Sequence, residues 1–421
     1  MKSIHVFGLL VSSSSLLALS ACNTTPSGST SHEVVTDNNT KVYRFKIGRA
    51  GNASLNDGTA AGILRDATEI VAGKHRDDDF TANIRFEQSG PIDTVSSNGV
   101  VNSAEDFRAL SRLGRNVVVV DAINYCGGYI PGVVGCAPVP GSFMAVVRYG
   151  SLEGMIWAHE FGHNCGLNHR DHSTALMHPQ IGSAHKSLNQ HERDKFEQKV
   201  ASGRSRSVQS ASESERDGAP PSSAQEYLDR VYLHGVPYAH VEGFGPQHIP
   251  ALKAALNSPN RLHSWSNAVV GLAAIATPES VEAVLSFVRA NNVSVSSGSY
   301  QVKRTAVMAL GYAVQKASTS QDPVYREARA KALAQLQQAA SGSYWRSRVG
   351  GTARSVSGAD PTEGLVTSAL AGLALSGAPE AAAFFENASR GTGRSVGDDP
   401  IAEARKEYAK VKAQGVRSYT D

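Results

Sequence analysis

Eleven residues near the middle of the chain, His159-Glu160-Phe161-Gly162-His163-Asn164-Cys165-Gly166-Leu167-Asn168-His169, leave few ways to fold. On a helix, His159 and His163 stand one turn apart, so both imidazoles leave the same face and can meet one metal ion. Gly166 can end that helix and turn the chain back, which lets His169 reach the same ion from a third direction. Three neutral histidines leave one coordination position open, the arrangement of a catalytic rather than a structural zinc. Glu160 follows the first ligand and would not bind the metal. Its carboxylate would lie beside the open position, placed to take a proton from water and return it to a leaving group. A helix from Leu152 to Cys165 is therefore the fixed point around which the chain must be arranged.

All fixed positions of the H-E-x-x-H-x-x-G-x-x-H pattern are present in His159, Glu160, His163, Gly166 and His169, and Met177 follows in Ser173-Thr174-Ala175-Leu176-Met177-His178-Pro179. With that methionine the sequence resembles the metzincin metalloproteases. The resemblance implies one catalytic Zn2+ on His159, His163 and His169, Glu160 as general base and acid, and Met177 as an apolar floor under the ligands. The Leu-Met-x-Pro wording is similar to the matrixins, and His163-Asn164 before Gly166 to the adamalysins. Arg170 departs from the residues usual after the third histidine, so no subfamily is assigned. Pro179 stands where astacins and serralysins carry a zinc-binding tyrosine, so no tyrosine ligand is implied. The resemblance also implies that Gly132 to Pro140 forms a sheet edge on which an extended substrate lies as an added strand, and that Leu188 to Val200 is a closing helix. His172, His178, His185 and His191 read as solvated polar residues, and Cys165 as a small buried apolar one.

The remainder of the 421 residues divides around this point. Between 41 and 200, strand patterns at Val42–Ile47, Ala82–Phe86, Asn116–Ala122 and Met144–Tyr149 mix with helical ones at Ala60–Ala72 and Ala104–Leu113, as in an α/β catalytic domain. Residues 201–224 are Ser-rich, charged and closed by two prolines, which reads as a linker. From 225 to 421 the strand signal fades. Asn267–Ala273, Thr305–Gly311 and Ser368–Ala374 align with one another, and a Pro-Glu pair follows the first and third, at Pro278-Glu279 and Pro379-Glu380, opening a second helix each time. Gly351–Val356 recurs as Gly391–Val396, with Arg354 and Arg394 in equivalent places. Paired helices at such intervals resemble HEAT-type repeats, with a generic helical bundle as the alternative. The fold class is thus α+β, a metzincin-like domain followed by an all-α domain.

At the amino terminus, Lys2, an apolar stretch and Leu19-Ser20-Ala21-Cys22 form a targeting segment. The last four residues resemble a bacterial lipobox, which implies cleavage after residue 21 and lipidation of Cys22. An ordinary secretory signal cut at the same place is the alternative. Residues 22–40 then read as a tether. An oxidising compartment permits a disulfide, and Cys126 and Cys136 bracket a loop, although spacing alone leaves the pairing open. The 41 basic against 38 acidic residues give a net charge of +3, too little for a nucleic-acid footprint.

These readings predict an envelope-located, lipid-anchored zinc endopeptidase in a bacterium, acting on a protein or peptide and recruiting a partner through its helical domain. That division of labour implies that residues 225–421 are dispensable for cutting short peptides. A surface-anchored interaction scaffold with a vestigial or self-processing zinc domain is the alternative.

Overall fold

The computed structural model describes residues 32–76, 79–198, 219–258, 262–290, 298–348, 361–389 and 399–420. Cys22 with the segment before it, residues 201–218, and the paired loops holding Arg354 and Arg394 lie outside the described residues. The architecture is α+β: small sheets and helices come first, and helices fill the second half. Among the described residues no helix is long and apolar enough to cross a membrane.

Strand β1 (Glu33–Asp37) turns into β2 (Thr40–Phe45), with β3 (Ile47–Arg49) directly following. The segment read as a tether therefore contains a strand. Asn38 and Asn39 both take positive φ, at 47° and 68°, the backbone of a tight two-residue hairpin that asparagine tolerates. Helix α1 (Asp57–Ala72) starts at Asn56, whose side chain accepts the Thr59 N–H, and buries Ala60, Ile63, Leu64, Ala67, Ile70 and Val71 along one stripe. Next come β4 (Ile84–Gln88), β5 (Asp93–Thr94), β6 (Val100–Val101) and helix α2 (Ala104–Ser111). Strands β7 (Val117–Val120), β8 (Ala122–Tyr125), β9 (Tyr129–Val133), β10 (Gly135–Cys136) and β11 (Met144–Val147) precede helix α3 (Glu153–Asn164).

The four valines of β7 are buried on both faces, as a central strand requires. It pairs in parallel with β11 and β3 in a five-stranded sheet ordered β10-β11-β7-β3-β5. Strand β10 is antiparallel to β11 at the margin of that sheet. Helix α3 is buried along its whole length between this sheet and α1. At the crossing with α1 a Cβ on Gly154 would stand 2.7 Å from that of Asp66, so the approach needs glycine. Strand β12 (Gln180–Ile181) and helix α4 (Gln190–Phe196) complete the part below α3.

The three aligned segments of the second half lie on helices Leu262–Ile275, Gly298–Thr319 and Pro361–Ser376, and the middle one packs against both others. Gly311 and Gly372 meet where two of them cross, and a Cβ on Gly311 would clash with the Gly372 carbonyl. Residues of each half enter the core of the other. Tyr125 and Tyr129 are buried in the helical core, while Val231 and Leu233 are buried in the core of the sheets. Strand β13 (Val231–Tyr232), where the sequence pattern predicts only helices, pairs antiparallel with β12. Residues from 225 onward therefore complete the first domain's core, which counts against their being dispensable.

Candidate metal centre

Helix α3 is set by its first turn. The buried Glu153 carboxylate accepts N–H groups from Tyr149 and Gly150 and pairs with Arg148 at 2.9 Å, which ties the 3-10 turn Gly150–Leu152 to the helix that follows it. At the other end Cys165 donates to Phe161 O, Gly166 to His163 O and Leu167 to Gly162 O, with Gly166 at φ +82°. That left-handed residue turns the chain back, as its position in the sequence predicts.

The turn-back also fixes the rings. His163 Nδ1 lies 2.8 Å from Leu167 O, and His159 Nδ1 lies 2.7 Å from Leu176 O in the methionine turn. Each carbonyl can only accept, so each Nδ1 carries the proton and each Nε2 presents a lone pair. Those two Nε2 atoms face each other at 3.0 Å in a buried place. Two lone pairs so placed repel unless a cation lies between them, and two nitrogens on one tetrahedral zinc would be about 3.3 Å apart. The donor set fits zinc. Burial, aided for His159 by the neighbouring His163, holds the His159 imidazole well below its usual pKa, and burial holds His163 down to about 4. Both rings are thus neutral near pH 7, the form that binds a metal. His169 brings its ring centroid to 4.9 Å from that of His163 and 5.3 Å from that of His159.

Glu160 is fully buried beside them. Its Oε2 has no hydrogen-bond partner, and its carboxylate lies so close to β10 that a Cβ on Gly135 would clash with Oε1. Met177 is wholly buried under the helix, where a Cβ on Gly162 would clash with its sulfur, and its carbonyl accepts the Arg170 N–H. Arg170, the residue out of pattern, forms a two-pronged pair with buried Glu192 at 2.7 and 2.9 Å and so ties the turn to α4. Cys126 and Cys136 are joined by a disulfide. Beside the metal centre is a cavity of about 700 Å³, lined among others by Phe107, Tyr125, Pro138 and Val139 and by His169 and His234.

His172 and His191 are exposed. His178 is buried instead of solvated, with Nδ1 held at 2.6 Å by Gln180 O, and His185 packs half-buried against it. Cys165 is free and half-buried, its thiol pushed up to about 12 by burial. The residue the sequence pattern misses is His234. Its ring joins the other three, and ligand atoms of His159, His163, His169 and His234 all lie within 4.8 Å of one another. His234 Nε2 is 3.3 Å from Glu160 Oε1. A histidine 65 positions beyond His169, in a stretch without motif spacing, carries no local signal of this role.

No curated protein matches the chain. Residues 75–198, which hold α3, its turn-back and Met177, match the family described as Matrixin, and this part of the chain is a zinc metallopeptidase domain of the metzincin kind.

Proposed function

We propose that the protein is a lipid-anchored, extracytoplasmic endopeptidase whose helical half, a HEAT-like array, recruits a substrate or partner. The observation that carries the catalytic part is Glu160, a buried carboxylate with one oxygen unpaired beside three converging histidines. When bound, zinc supplies an electrophile for the scissile carbonyl and lowers the pKa of water at its open position. His159 and His163 are held in the ligating tautomer by Leu176 and Leu167. Glu160 accepts the proton of the attacking water and delivers it to the leaving nitrogen. The margin of the sheet at Val133–Cys136 and the facing stretch Pro179–Ile181 supply backbone groups that align an extended peptide. Anchoring and location rest on Leu19-Ser20-Ala21-Cys22, and the Cys126–Cys136 disulfide favours an oxidising compartment.

One observation favours the scaffold reading. Four histidines can close a tetrahedral shell, as structural sites do. A peptide-library assay on the purified chain and on His234→Ala, each with and without Glu160→Ala, separates the two. The peptidase reading expects cleavage in at least one background, reduced about 1,000-fold or more by Glu160→Ala, with zinc content retained. Cleavage indifferent to Glu160 would overturn the peptidase reading and favour the scaffold instead.

A further inference from the structure

We propose that the segment 231–236 is a built-in occupant of the substrate groove, and that His234 is a fourth protein ligand to the metal, so that the folded chain is a latent form of the peptidase. The inference rests on the peptidase reading of the same site and deepens it. Two independent observations carry it, one from a side chain and one from the backbone.

The side chain is His234. Its Nε2 stands 3.3 Å from Glu160 Oε1 and within reach of the three other imidazoles. That is the place in which Glu160 would have to hold a water for it to be deprotonated. One nitrogen cannot occupy this place together with that water, so a ligating His234 excludes the nucleophile.

The backbone of the same segment fills both walls of the groove. On one side the Val134 and Gly135 N–H groups donate to Leu233 O at 2.8 and 3.2 Å, and Val133 bridges His234 in the antiparallel sense. On the other side the Leu233 N–H donates to Pro179 O at 3.3 Å, and β13 pairs with Gln180 and Ile181. These are the groups that an extended peptide would need for strand addition. The segment is fastened at its far end as well, since the Val236 N–H donates to Pro131 O and Tyr312 Oη of the helix Gly298–Thr319 donates to Val236 O. Leu233 is fully buried and Val236 likewise, so the segment is seated and not merely lying across the site. Cutting a peptide therefore requires withdrawal of residues that are also held by the helical half, which couples the state of that half to the state of the metal.

The test loads the full-length chain with cobalt(II) and reads its visible absorption spectrum during titration with acetohydroxamate, a small metal-binding anion. The wild-type spectrum is expected to be that of a four-nitrogen site and to stay unchanged. In His234→Ala the spectrum should shift saturably, with apparent affinity at least about tenfold above any wild-type response. His191→Ala, altered at an exposed position, should behave as wild type. Equal responses of wild type and His234→Ala would overturn the proposal. Should His234→Ala not fold, His234→Gln takes its place. Hydrogen exchange in the unaltered chain gives a further reading: the Val134 and Gly135 amides should be protected, and rapid exchange there would overturn the occupied groove. A hydroxamate response gained in His234→Ala, together with peptide cleavage indifferent to Glu160→Ala, would sink the peptidase reading and leave the closure standing. A wild type that binds hydroxamate and cuts peptides would do the reverse. Absence of cobalt uptake in either chain would overturn both.

Discussion

At the scale of single residues, the site depends on groups that would be costly to leave alone. Arg170 shows this best. It departs from the metzincin pattern, and its physical role is to neutralise Glu192, whose side chain is 3 % exposed and also receives the Asn189 N–H in a capping box. Removing one member of such a pair strands a buried charge, so Arg170→Ala should lower stability by about 3 kcal/mol, read as a lower urea midpoint with an unchanged m-value. Glu192→Gln, which keeps the cap geometry, should cost clearly less. The same logic separates what a sequence can and cannot disclose about the ligands. His159 and His163 are legible because a helix converts a spacing of four into one face. The carbonyls that fix their tautomers, Leu167 O and Leu176 O, belong to the turn after Gly166 and to the methionine turn, and become visible only once those turns are folded.

At the scale of elements, the helical half repeats its backbone as well as its wording. Ala276 and Gly377 stand two residues before Pro278 and Pro379, and both take left-handed φ, at 59° and 56°. Each breaks one helix so that a proline-initiated helix can follow. Only glycine adopts this conformation without strain, so Gly377→Ala should cost about 1 kcal/mol in thermal or urea unfolding. Ala276→Gly should be nearly neutral, because relief of strain is offset by loss of a fully buried methyl and by a freer unfolded chain. The paired prolines announce these helix starts in the sequence. The hairpin at Asn38-Asn39 is legible too, as two asparagines between alternating residues, but a polar, turn-rich composition masks it when read as a tether. Strand β13 has no such signal. Val231 and Tyr232 are a strand because β12 is beside them.

At the scale of the whole molecule, the halves are locked by groups that no single element explains. Asn124 Nδ2 donates to Ser368 Oγ, and the Tyr129 N–H donates to Tyr419 Oη at 2.7 Å. Asp121 lies at the same junction, accepting the Asn52 N–H and facing the buried Arg304 guanidinium. Burial pushes its pKa from 3.8 up to about 6, and the Asn52 N–H and Arg304 only partly oppose this. Between these two values the folded chain holds a proton that the unfolded chain has released, so this group's contribution to stability falls as pH rises from 4 to 6. The loss is at most about 3 kcal/mol. Asp121→Asn should remove that portion of the pH dependence, so the stabilities of variant and wild type should coincide near pH 4, separate between pH 4 and 6 in the variant's favour, and keep a constant difference above that. Parallel curves across that range would show that Asp121 does not report the junction.

Residue order alone sets the local chemistry: which helix carries the first two ligands, where glycine reverses the chain, that a third histidine and a methionine follow, and that the second half is built of paired helices. All of these follow from interactions between residues a few positions apart, which spacing encodes directly. Only in the folded molecule does the helical half lend Val231 and Leu233 to the first core, and only there does His234 arrive at the metal centre 65 residues after the motif ends. Such contacts arise from packing between distant parts of the chain, where many sequences satisfy the same burial, and so no local pattern announces them.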